Sequence, residues 1–74
     1  MKEIFIKFLK DNNAYDAFVK NLLIHGFTTI DNLITTTNPD LWISSAFFWT
    51  ETAEEHDYWY SIDQAWKIIL NKED

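Results

Sequence analysis

The chain has 74 residues, twelve carboxylates against six lysines, no arginine and no cysteine, for a formal charge of −6. This excludes a disulfide framework and a thiolate-bound metal. It also argues against direct binding to nucleic acid, which relies on basic surfaces and on the planar fork of arginine. One domain spanning 1–74 is expected, because either half alone would be too small to bury a core, and 47 % apolar with 18 % aromatic content offsets the short length.

Lys2, Glu3, Lys7 and Lys10 interrupt the apolar residues of the first segment and no small-residue cleavage site follows, which argues against a secretory signal. No stretch approaches the roughly 18 apolar residues of a membrane span. The reading is no membrane association and a cytoplasmic location. With one glycine and one proline and no hairpin signal, the expected fold is all-α, a compact single-domain bundle of four to five short helices.

A first short helix is predicted over Glu3–Lys10, with Ile4, Phe5, Phe8 and Leu9 at helical spacing and Asp11-Asn12-Asn13 ending it. The second should start at an Asn12 or Asn13 cap and stop at Gly26, burying Tyr15, Phe18, Val19, Leu22 and Leu23. Thr28 or Thr29 can cap a brief turn of helix holding Ile30, Leu33 and Ile34. The three β-branched residues Thr35-Thr36-Thr37 then end it.

Asn38-Pro39-Asp40 combines a cap, a proline at the first helical position and a carboxylate near the positive end of the dipole. It predicts a helix from Pro39 to about Phe48 with Trp42, Ile43, Ala46 and Phe47 inward. Thr52-Ala53-Glu54-Glu55 has the spacing of a capping box, in which the Thr52 hydroxyl accepts from the Glu55 amide and the Glu55 carboxylate accepts from the Thr52 amide. The last helix should therefore begin near Ala53 and bury Trp59, Ile62, Trp66 and Ile69, with Tyr58, Ala65 and Leu70 widening that stripe.

Catalytic and metal chemistry find little support. Glu55, His56 and Asp57 point about 100° apart around a helix and cannot converge on one ion. The hydroxyls lack a base and an oxyanion site at any telling spacing, and one glycine cannot form a phosphate loop. The chain reads as a non-enzyme without a cofactor or metal.

Charge is the more informative pattern. From Asn21 through Trp66 there is no lysine, while Asp31, Asp40, Glu51, Glu54, Glu55, Asp57 and Asp63 fall within that stretch. Glu51, Glu54, Glu55, Asp57 and Asp63 are expected to form an anionic surface on the last helix, suited to a basic protein. Phe47-Phe48-Trp49 cannot turn all three rings to one core, so Trp49 is a candidate anchor at its rim. Tyr58 and Tyr60 flank inward Trp59, and Tyr60 is the second candidate. The alternative is a small structural protein that self-associates through exposed aromatics, its acidity serving solubility alone.

Ala46, Phe47, Trp49, Thr52 and Glu54, followed by Tyr58-Trp59, Ile62 and Trp66, resemble a segment found in small bacteriophage proteins of uncharacterised activity. Asn38-Pro39 and Trp42 fit the usual approach to it, whereas Glu55 stands where that pattern commonly has glycine. The resemblance covers about half the chain. It implies a phage or prophage origin, a host protein such as a nuclease or defence enzyme as partner, and the host cytoplasm as location.

Overall fold

In the computed structural model the described residues are 1–48 and 50–72, without the side chains of Ser45 and Phe48. Among these residues five α-helices and one 3₁₀ turn follow in order: α1 (Lys2–Asp11), α2 (Tyr15–Ile24), α3 (Ile30–Thr36), the turn Pro39–Leu41, α4 (Ser44–Phe48) and α5 (Ala53–Lys72). The fold is all-α, with no strand among the described residues.

The joints explain the order. Asn12 donates its side-chain amide to the Phe8 carbonyl, 2.8 Å away, and so closes α1 rather than opening α2. Asn13 takes φ 55°, a left-handed conformation that asparagine tolerates better than most residues. Ala14 is therefore the N-cap of α2, and no side chain caps it. Gly26, at φ 86°, ends that helix as expected. The Phe27 amide bonds back to the Leu22 carbonyl (2.9 Å) and the Gly26 amide to that of Leu23 (3.3 Å), the paired bonds of a Schellman ending. Thr29 caps α3 through the Asn32 amide at 3.0 Å.

The expected helix from Pro39 to Phe48 is broken in two. Asn38 contributes no side-chain cap, and the first bonds are the tight i to i+3 type, Leu41 amide to Asn38 carbonyl and Trp42 amide to Pro39 carbonyl. Tertiary anchoring accounts for the break: the Trp42 indole donates to the Thr37 carbonyl (3.0 Å), and the Trp66 indole donates to the Pro39 carbonyl (2.8 Å). Both large rings are thereby satisfied inside the core and fastened to this segment.

The core is one cluster centred on Phe5, whose ring lies 4.8 Å from Trp42, 4.9 Å from Trp66 and 5.3 Å from Phe18. Trp42 and Trp66 stack at 5.7 Å. Phe8, Leu9, Ala14, Leu22, Ile30, Leu33, Ile43, Ala46, Trp59 and Ile62 also belong to this cluster. Ile69, Ala65 and Leu70 are half-buried against it. Leu23, expected inward, is exposed: one residue past buried Leu22, it has rotated by about 100° off the apolar stripe.

Candidate protein-binding surface

The acidic residues cluster where α5 begins. The Thr52 hydroxyl accepts from the Glu55 amide at 3.1 Å, which fixes the first turn. The reciprocal half of the capping box differs from expectation: Glu55 Oε2 accepts from the Glu51 amide at 3.4 Å, so the carboxylate folds over the connection entering the helix. Glu51, Glu54, Glu55 and Asp57 are all exposed. Among the described residues no lysine amine comes within ion-pair distance of these four; the lysine pairs are Lys2–Asp31, Lys7–Asp11 and Lys67–Asp63. The hydrogen bond from Lys7 to Asp11, with the carboxylate's charge, raises the Lys7 ammonium above its ordinary value.

Asp63 does not belong to this surface. It is only 6 % exposed, and Lys67, one turn later, reaches its Oδ2 at 3.1 Å. Helical geometry supplies the reason: Asp63 follows buried Ile62 and lies four residues beyond buried Trp59, on the side of α5 that faces the protein. The remaining acids also divide. Glu54 and Asp57, three residues apart, share the outward face of α5, whereas Glu55 has turned by about 100° towards α2. Of the expected five-carboxylate face, four exposed carboxylates remain around the helix entry, Glu51 and Glu55 on the side of α2 and Glu54 and Asp57 on the outward side.

Tyr60 is 50 % exposed, its ring 5.8 Å from that of Phe47. Tyr58 is 40 % exposed and packs edge-on to Trp59, with its hydroxyl 3.5 Å from the Asn12 carbonyl. Trp49 lies outside the described residues. His56 rests on the Phe47 ring at 4.3 Å, with Nδ1 3.9 Å from Asp57.

Sequence reasoning missed a cleft of about 470 Å³ between α2 and the start of α5. Ile24, Tyr58, Trp59, Glu51, Glu55 and Lys20 line it. Ile24 next to the stop signal at Gly26 was the available clue, since it falls off the apolar stripe of α2.

His25, at the end of α2, is half-buried, and that burial lowers its imidazole below the ordinary value, favouring the neutral ring. Among the described residues no group of three or more His, Cys, Asp or Glu could hold a metal ion. No helix there is long and apolar enough to cross a membrane. No protein-family model matches the chain, and nothing among curated proteins or solved structures matches it.

Proposed function

We propose that this domain is a non-enzymatic binding module that presents the acidic entry of α5 to a basic protein. The observation that carries this reading is the exposure of Glu51, Glu54, Glu55 and Asp57 together, with no lysine paired to them among the described residues. Such a patch draws a basic partner by long-range attraction and repels phosphate-bearing ligands. The likeness of the Ala46–Trp66 region to bacteriophage proteins supports a phage-encoded module acting in the host cytoplasm on a host nuclease or defence enzyme.

The test is retention of a host basic protein on the immobilised domain. Retention should fall steeply from low salt to about 0.5 M. It should also be lost in the quadruple variant Glu51→Gln/Glu54→Gln/Glu55→Gln/Asp57→Asn. Retention that ignores both salt and this variant counts against the reading.

Exposed Tyr58 and Tyr60 favour a second reading, a structural protein that self-associates through its aromatics. A monomer at every concentration in sedimentation equilibrium removes it.

A further inference from the structure

An exposed isoleucine and a half-open tyrosine border the same cleft as two exposed carboxylates. Ile24 is 63 % exposed at the end of α2, facing a space that Tyr58 and Trp59 bound from α5. Among the described residues no lysine pairs with Glu51 or Glu55 at that space, and Lys20 is the one cation lining it, so the rim is net negative. An apolar floor with an anionic rim complements a segment that carries apolar side chains on one side and cations at their flanks, the pattern of a basic amphipathic helix. Anionic ligands would meet carboxylates there, and a second copy would bring a further net charge of −6.

We infer that the α2–α5 cleft seats a lysine- or arginine-bearing amphipathic helix of the partner protein. Its apolar side chains lie against Ile24, Tyr58 and Trp59, and its cations against Glu51 and Glu55. This rests on the acidic-surface reading and narrows it: general attraction needs only negative charge, whereas a seat also needs the apolar wall.

Ile24→Asp separates the two, because it removes apolar surface and adds negative charge at once. The probe is a fluorescein-labelled peptide of leucine and lysine at helical spacing, about five turns long, followed by anisotropy at low salt. A peptide with glutamate in place of lysine is the control. Wild type should bind the lysine peptide and not the glutamate one. Ile24→Asp should weaken binding about tenfold through the lost apolar contact, despite the added charge. Lys20→Glu should tighten it, and Ile68→Asp, a like change outside the cleft, should stay within about twofold of wild type.

Circular dichroism confirms that each variant is folded, which the exposure of all three positions favours. If Ile24→Asp binds as well as wild type while the quadruple neutralised variant does not, the seat is overturned and the acidic-surface reading stands. Failure of wild type to bind the lysine peptide overturns both. A dimer of the domain that Ile24→Asp dissociates would make the occupant a second copy and overturn the partner assigned here.

Discussion

Asp63 and Lys67 offer the sharpest test of how this domain handles charge. The Asp63 carboxylate is buried, with Oδ2 on Lys67 and Oδ1 without a hydrogen-bond partner among the described residues. Lys67→Met keeps the aliphatic stem and strands the carboxylate without its cation. Removing one partner of a fully buried pair costs about 3–5 kcal/mol. The Lys67 side chain is 45 % exposed, so water screens this pair, and roughly 2 kcal/mol is expected instead. Asp63→Asn, by contrast, removes a charge that is half unsatisfied and should change stability by less than about 1 kcal/mol in either direction. In the double variant the stranded charge is gone, so its stability should lie near that of Asp63→Asn alone. Urea unfolding followed by circular dichroism measures all three, and about 2 kcal/mol is a large part of the stability of so small a domain. Equal losses in the two single variants, or a loss below about 0.5 kcal/mol for Lys67→Met, would refute the argument that charge holds Asp63 in place. Because Asp63 lies off the acidic patch, Asp63→Asn should also leave binding of a basic probe unchanged.

Trp66→Phe removes the indole donor to the Pro39 carbonyl and part of the stacking on Trp42, and should cost about 2–3 kcal/mol in urea unfolding. Thr52→Ala removes the cap of α5 and should cost about 1 kcal/mol, read as a lower unfolding midpoint with unchanged urea dependence. The lowered His25 value means that the unfolded chain takes up a proton more readily than the folded one, so the contribution is full above the ordinary value of 6.5 and is lost as pH falls below it. From about pH 7.5 to about pH 5.5 the wild-type melting temperature should therefore drop more than that of His25→Gln. Asp57→Asn should weaken salt-sensitive binding to a basic probe while leaving the melting temperature nearly unchanged.

Among local signals the Gly26 stop and the threonine caps survived folding, whereas the Asn12 or Asn13 cap and the return bond of the Glu55 carboxylate to Thr52 did not, and features set by distant partners did not appear in the sequence. Gly26 and the Thr29 and Thr52 caps act within a few residues, so their signals could be read directly. Asn38-Pro39 is an equally strong local signal, yet the Trp66 indole, 27 residues away, claims the Pro39 carbonyl and the segment turns as a 3₁₀ piece. Asp63, by contrast, was within reach of the sequence, since it lies four residues after Trp59 and three before Trp66, both expected inward. Its letter reads as surface charge, but the direction in which Trp59, Ile62 and Trp66 turn α5 sends it inward. The cleft was hidden because α2 and the start of α5 are far apart in sequence and meet only through tertiary packing.

The four exposed acids do not carry equal weight for recognition. Glu54 and Glu55 occupy the first turn of α5, where the positive end of the helix dipole stabilises a carboxylate by about 0.3–1 kcal/mol, and Glu55 also holds the Glu51 amide. Helix stability alone explains both. Glu51 precedes the helix and Asp57 lies a turn further on, where the dipole has faded, and neither pairs with a lysine among the described residues. An isoleucine left open to water at Ile24, beside Glu51, likewise has no role in the core cluster. The case for a binding surface therefore rests on Glu51, Asp57 and Ile24, the positions that folding does not require, more than on the total of negative charge.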